Sequence, residues 1–243
     1  MTGTGPTDGD RGQPVEPEPM SRRATILYAI CVPLGLLALV FGPAGRLDWR
    51  PGWVFVAFLV AGYGASAAYL AWVNPVIYRA RSGFQPGTER WDLILLSVLL
   101  PAMVAEIPLA ALDAGRMGWS AVPRGVVIAG YALLGGSMVI TAWAQAVNRF
   151  FEPGVRLQRE RGQYVVTSGP YAAVRHPGYA GALMTFAGLA LALGSWWALV
   201  PAAVAGALLI LRTALEDALL RERLEGYADY ARRVRFRLVP GVW

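Results

Sequence analysis

Apolar residues in this chain gather into long tracts instead of alternating with polar ones. The tracts fall near residues 24–43, 51–73, 91–112, 125–147 and 179–211. A helix needs roughly 20 residues to cross the hydrocarbon of a bilayer, so each of the first four tracts predicts one span. The fifth is too long for one crossing and is interrupted by "GSWW", which predicts two helices joined by a tight turn at Gly194–Ser195. The expected fold class is therefore all-α: a polytopic bundle of about six transmembrane helices ending in a hairpin. The chain divides accordingly into a disordered tail over 1–22, four spans over 23–147, and a region over 148–243 holding the hairpin and a cytoplasmic tail.

Composition supports this reading. Some 56% of residues are apolar and 16% charged, too few charges to wet an ordinary soluble domain. The opening "MTGTGPTDGDRGQPVEPEPM" is rich in Pro, Gly and acid and has no periodicity, which predicts disorder. A cleaved signal peptide would also begin with basic residues such as Arg22 and Arg23. The apolar run that follows them is too long for that, and no small-residue cleavage site follows it.

Charge then orients the bundle. All 22 basic residues are arginine, and 18 of them lie in the N-terminal tail, the 74–90 and 148–176 loops and the C-terminal tail. The positive-inside rule puts those four segments, with both termini, in the cytoplasm. The lack of lysine and the abundance of Ala, Gly and Arg suggest a GC-rich bacterial source, hence an inner membrane. The net charge of +6 fits attraction to anionic headgroups. No water-soluble basic face is visible that would bind nucleic acid. One cysteine (Cys31) and one histidine (His176) cannot assemble a Cys/His metal site. Neither a glycine-rich phosphate loop nor a G-x-S-x-G elbow occurs.

Two polar segments flank the hairpin, 148–181 and 212–243, and a helix out with a helix back brings their membrane-proximal ends together. In the first, Gln163, Tyr164, Val165 and Val166 form a short extended piece. A turn at Ser168–Gly169–Pro170 follows, and Pro170 and Pro177 hold the residues before them out of helical geometry. Arg175 and His176 are thus presented from irregular backbone at the headgroup level. Pro177 suits the first helical turn, whose free N–H groups attract a ligand carboxylate or hydroxyl. A lipid-phosphate contact for Arg175 and a capping role for His176 are the plainer alternatives. In the second segment, Arg212 and Glu216 lie four apart on one face at the inner edge of a span. They are either a local ion pair or working groups, because charge there is costly unless solvated, paired or used. Tyr227 and Tyr230 have the spacing of a helical pair and read as interfacial anchors. Glu106, between Pro101 and Pro108, is a buried carboxyl candidate with a structural or gating role.

At these residues the chain resembles the isoprenylcysteine carboxyl methyltransferase family of integral membrane enzymes. The resemblance rests on "VVTSGPY", "RHPGYAG", "RTALED", "YADY" and "RLVP", in that order around the hairpin, from Gln163 to the C-terminus. It implies S-adenosylmethionine as cofactor, contacted by Gln163, Tyr164, Val165, Val166 and Tyr171, by His176, Pro177, Gly178 and Tyr179, and by Glu216. It places Arg212 toward the methyl acceptor, with Arg212 and Glu216 as the catalytic pair. Where the family often has His, this chain has Gln163, and its F-G-x-x-Tyr is shortened to "LEGY", so the match of Glu216 assumes a one-residue deletion. The implied reaction is methylation of a lipophilic acceptor or lipid-modified substrate, above all at a carboxylate, with membrane lipids as surroundings. The rival enzyme is an NADPH-dependent membrane reductase of the sterol or steroid type, which shares a hairpin and a tail like "FRLVPGVW". A non-catalytic membrane protein that keeps the fold is the third reading.

Overall fold

The structure, a computed structural model, describes residues 21–77 and 83–243; the expected disordered tail, apart from its last two residues, lies outside them. The helices are α1 (Arg22–Ala44), α2 (Arg50–Val73), α3 (Arg90–Ala110), α4 (Arg124–Val147), α5 (Pro177–Ala192), α6 (Leu199–Arg223) and the short α7 (Tyr227–Arg233). No strand occurs among the described residues. The α3 helix runs on into a π-helical segment, Ala111–Met117, which ends at Gly118. The chain is a polytopic helical membrane protein, and the helix limits fall within a few residues of the apolar tracts.

Five helices are long and apolar enough to cross a membrane, whereas α5 has only 16 residues. At 1.5 Å per residue α5 rises roughly 24 Å, short of the ~30 Å hydrocarbon core. Both of its ends are fixed. Pro177 starts it, and Gly194, with φ 77°, turns the chain into α6. Large apolar side chains such as Trp72, Ile94, Ile128 and Val139 point outward, as a lipid-facing surface requires.

Inside, one core joins α1, α2, α4 and α5 through Val40, Phe55, Leu134 and Ala192. A second joins α3, α5 and α6 through Leu96, Leu99, Phe186, Ala205 and Leu209. The α4–α5 contact is very close: a methyl group on Gly130 would lie 2.4 Å from the Ala192 nitrogen. Small residues permit this approach, and dispersion then drives association where no hydrophobic effect operates between helices.

The two ends of the bundle are tied differently. At one end, buried Asp113 accepts hydrogen bonds from the Ser120 N–H (2.8 Å) and from the hydroxyls of Ser120 and Ser195. The hydroxyls in turn accept from the Trp196 and Ala198 N–H groups. This clasp locks the hairpin turn onto the end of the π segment. At the other end the Asn74 amide donates to the Gln145 carbonyl (2.7 Å), joining the ends of α2 and α4, and the polar segments gather there. Replacing Asp113 with Ala leaves two hydroxyls and an N–H without their anion, and hydrogen bonds to a charged group are worth about 1.5–3 kcal/mol each. Asp113→Ala should therefore shorten the thermal half-life in detergent far more than Ser195→Ala, without altering ligand binding at the opposite end; unchanged half-lives in both variants would refute the clasp.

Candidate active site

The polar end of the bundle is built by backbone that cannot be helical. After α4, the Asn148 side chain accepts the Phe150 N–H, turning the chain. The loop that follows is held by ions. Glu152 takes a two-point contact from Arg156 (2.7 and 2.9 Å) and a third from Arg161 (3.3 Å). Arg156 also reaches Glu160 at 2.6 Å. Burial pushes the Glu160 carboxyl up, but the Arg156 bond, a backbone hydrogen bond and the charges of Arg156 and Arg161 together outweigh it and hold the group below the ordinary range. The Gln163 side-chain oxygen accepts the Gln158 N–H at 2.7 Å, closing the loop into a compact flap.

Residues 163–167 then run without regular structure, and Gly169–Ala172 makes one 3-10 turn. Phe150 and Tyr164 meet edge to face with centroids 5.0 Å apart. The Tyr171 hydroxyl accepts from Asn148 at 2.9 Å. Burial raises its pKa and the Asn148 bond only partly offsets this, so Tyr171 remains a neutral phenol.

At the α5 start, the N–H groups of Arg175 and His176 donate to the Phe236 and Arg237 carbonyls (3.0 and 2.9 Å). The C-terminal strap therefore uses two N–H groups that the sequence pattern leaves free for a ligand. Pro177 has none, and the Gly178 N–H is the first without a backbone partner among the described residues. A methyl group at Gly178 would lie 2.5 Å from the Phe151 ring, so glycine is needed for the flap to seat against the helix.

His176 occupies the N-cap position but makes no side-chain cap. Its Nε2 lies 3.4 Å from Asp217 Oδ1 and 3.3 Å from the Tyr227 hydroxyl oxygen, and its ring stacks parallel to Tyr179 at 5.7 Å. Asp217 is the hub here. It takes a two-point contact from Arg175 (2.7 and 3.0 Å), single contacts from Arg237 (3.0 Å) and Arg221 (3.1 Å), and a hydroxyl bond from Tyr227 (2.9 Å). Burial and the adjoining Asp217 carboxylate both push the Tyr227 hydroxyl up, keeping it a donor. Tyr230 donates to the Tyr171 carbonyl at 2.7 Å. Both tyrosines are buried, so they are not the surface anchors their spacing suggested. Gly226, with φ 78°, turns α7 back under the 163–171 segment.

These elements border one cavity that opens to solvent, with about 870 Å³ of free space when its open mouth is counted. It is lined by Gln163, Tyr164, Val165, Val166 and Tyr171 from the first segment, by His176, Gly178 and Tyr179 from the α5 start, and by Glu216 from α6. The hairpin thus brings the two polar segments together. The Tyr179 hydroxyl donates to Glu216. Two expected residues stand behind the wall. Pro177 is buried in it, and Arg212 lies under Tyr179 with its guanidinium 5.2 Å from the ring centroid. Arg212 grips Asp92 of α3 through Nε (2.6 Å) and Nη2 (3.0 Å), and Nη2 also donates to the Pro153 carbonyl (2.6 Å). The flap side chains Phe150, Phe151 and Glu152 also line the cavity. Sequence reasoning passed over them because no pattern distinguishes a flap from a loop.

Glu106 is elsewhere. It is 0% exposed, with no hydrogen-bond partner for either carboxyl oxygen among the described residues. It lies roughly 21 Å along α3 from Asp92, and it does not line the cavity.

Residues 126–225 match the family model for phospholipid methyltransferases. The match takes in nearly all of α4, the flap and the whole hairpin, and with them most of the cavity lining; Tyr227 and Tyr230 of α7 lie beyond it. Over these residues the chain is similar to that family of integral membrane methyltransferases, which includes the isoprenylcysteine carboxyl methyltransferases. No curated protein matches the chain. In this site, Asp217 is the residue whose removal should be felt first. Breaking a buried ion pair from one side costs about 3–5 kcal/mol, and Asp217→Ala strands three arginines at once. Detergent-purified Asp217→Ala should lose its compact state at a far lower temperature than wild type. Arg221→Ala, at the half-exposed edge of the cluster, should cost under about 1 kcal/mol. Equal losses in the two variants would remove Asp217 from the centre of the site.

Proposed function

We infer that this methyltransferase moves a methyl group from S-adenosylmethionine to a lipophilic acceptor at the cytoplasmic face of the membrane. The observation that carries the reading is the meeting of His176–Tyr179 and Glu216 in one cavity at the end of the apolar hairpin, where a water-soluble donor and a bilayer-dissolved acceptor can both arrive. The side of the membrane follows from the arginines. Eighteen of 22 lie in the segments at the cavity end or in the N-terminal tail, which the positive-inside rule places in the cytoplasm.

The residues present fit the donor. Glu216 is a cavity carboxylate that accepts a hydrogen bond from the Tyr179 hydroxyl, suited to a cationic group. Tyr164, Tyr179 and Phe150 offer ring faces and edges to a base, and the Gly178 N–H lies at the positive end of α5. When bound, S-adenosylmethionine supplies an electrophilic methyl carbon on a sulfonium. The protein's part is then placement and exclusion of water, since charge is neutralised along the reaction and no strong acid or base is required. The flap and Tyr179 perform the exclusion. His176, held between Asp217, Tyr227 and Tyr179, orients what it touches and is not a nucleophile.

Two acceptor chemistries suit the site. A carboxylate, the acceptor that the likeness to isoprenylcysteine carboxyl methyltransferases suggests, is already nucleophilic, and the positive charge of Arg212 behind Tyr179 can attract it. An amine headgroup is favoured by a different observation: Asp92 already neutralises Arg212 through a two-point contact, while Glu216 has no arginine in contact among the described residues. In either case the attacking atom forms its bond to the methyl carbon as the C–S bond breaks and the sulfonium leaves as a neutral thioether; a cationic amine first gives up a proton to the Glu216 carboxylate or to water. An acceptor with a long apolar tail enters sideways from the bilayer.

Purified protein should bind S-adenosylhomocysteine and not NADPH, and Glu216→Gln should weaken that binding at least tenfold by calorimetry. Incubation with methyl-labelled donor and membrane extract should label a lipid-soluble product, absent with His176→Ala. Preferential NADPH binding would turn the assignment toward a reductase, and equal turnover of tailed and soluble acceptors would remove lateral entry.

A further inference from the structure

The match to known methyltransferases stops short of α3, yet α3 supplies a side chain at the back of the cavity. Asp92 stands in the first turn of α3 and is 0% exposed. One oxygen accepts Arg212 Nε at 2.6 Å; the other accepts Arg212 Nη2 at 3.0 Å and the Val155 N–H at 2.7 Å. Beside it the Val155 carbonyl accepts the Glu89 N–H at 2.9 Å. One carboxylate therefore sets the position of both the hairpin arginine and the flap.

The consequence for charge is direct. Arg212 overlies Tyr179, and the Tyr179 hydroxyl donates to Glu216 one turn along α6. With Asp92 in place, the Asp92–Arg212 pair is neutral as seen from the cavity, and Glu216 is left as the net charge at the inner wall. Each other charge of the lining has an opposite charge in contact: Glu152 with Arg156 and Arg161, and Arg175 with Asp217, which also holds Arg221 and Arg237 outside the lining. Without Asp92, the same wall would present an unneutralised guanidinium beside Glu216, and an anionic acceptor would be held as well as a cationic one.

We propose that Asp92 is a specificity-determining residue: by neutralising and holding Arg212 it makes the acceptor end of the cavity select cationic amine heads over carboxylates. It acts through Arg212, so it is a positioning residue and not a catalytic one. The inference rests on the proposed methyl-transfer reading only for which end of the ligand is the acceptor; the charge preference can be measured without turnover.

The test uses the full-length protein in a neutral detergent and two ligands of equal chain length, a medium-chain alkylamine and the matching alkyl carboxylate. Wild type should bind the amine more tightly. Asp92→Asn keeps the shape and an oxygen for the Val155 N–H but removes the charge, and should lower the amine-to-carboxylate affinity ratio at least tenfold. Arg212→Gln, which leaves Asp92 uncompensated, should raise the ratio, and the double variant should return within about threefold of wild type, as coupled neighbours require. A purely structural role would weaken both ligands equally and leave the ratio unmoved; that result in a folded Asp92→Asn or Arg212→Gln protein overturns the proposal, as does a wild type that binds the carboxylate as well as the amine. Should Asp92→Asn fail to fold, the Arg212→Gln ratio alone decides. S-adenosylhomocysteine binding, followed on the same samples, separates the two failures: its loss in wild type would sink the donor assignment while the ligand ratio still reads Asp92.

Discussion

A charge taken out of water at the edge of a bilayer must find an opposite charge or a set of donors, because desolvation costs several kcal/mol per ion even after relaxation. This constraint arranges the polar end of the molecule. Two buried aspartates, Asp92 and Asp217, each receive an arginine in two-point geometry, the arrangement in which a guanidinium and a carboxylate satisfy most of each other's hydrogen-bonding capacity. Asp92 joins α3 to α6 and to the flap, while Asp217 joins α6 to the α5 start and to the C-terminal strap. The cavity is the space left between these two ionic centres. Its walls are thus fixed by interactions that few substitutions can preserve, and an arginine-to-lysine change at 175 or 212 would lose the fork.

The apolar part of the fold serves the same end by simpler means. The α5–α6 hairpin has no polar group to pay for along most of its length, so its stability comes from close packing against α4 and α3. Its turn is held by Asp113 at the far end and its start by the strap at the near end. A short helix clamped at both ends has little freedom to tilt, and His176, Gly178 and Tyr179 at its start are placed with corresponding accuracy. Placement is what methyl transfer needs most, since the reaction gains from alignment of the attacking atom with the C–S bond more than from proton movement.

How much of this is legible in the sequence depends on the range of the interaction. The helices are legible because hydrocarbon thickness imposes a length on apolar tracts, and the turn at Gly194 because a 33-residue tract cannot be one helix. The meeting of His176 with the 216–217 region follows from the hairpin alone. The Arg212–Glu216 spacing is a poorer guide. It suggests a local pair, yet Arg212 takes its partner from Asp92, 120 residues earlier, and Glu216 turns to Tyr179. Asp217 sits beside Glu216 in the same short motif, but one residue on an α-helix is a 100° rotation, and only the fold reveals that this face meets three arginines. Tyr227 and Tyr230 read as interface anchors by composition; the turn at Gly226 buries them instead. Residue type announces that a group is costly to bury, but it does not announce its partner when that partner lies on another helix.

The same point bears on where the functional unit ends. The family match covers residues 126–225, which supply most of the cavity's lining, and it would be natural to regard the first three helices as a membrane anchor. The ion pair at Asp92 argues otherwise. If the 126–225 region were self-sufficient, Arg212 would be compensated from within it, as Arg175 is by Asp217. Instead its carboxylate comes from α3, and the flap residue Val155 is bonded to α3 on both its N–H and its carbonyl. The hairpin and flap therefore acquire their electrostatic balance only when docked on α3. Substitutions at the first turn of α3 belong with those in the cavity, although no sequence motif of the catalytic region extends that far.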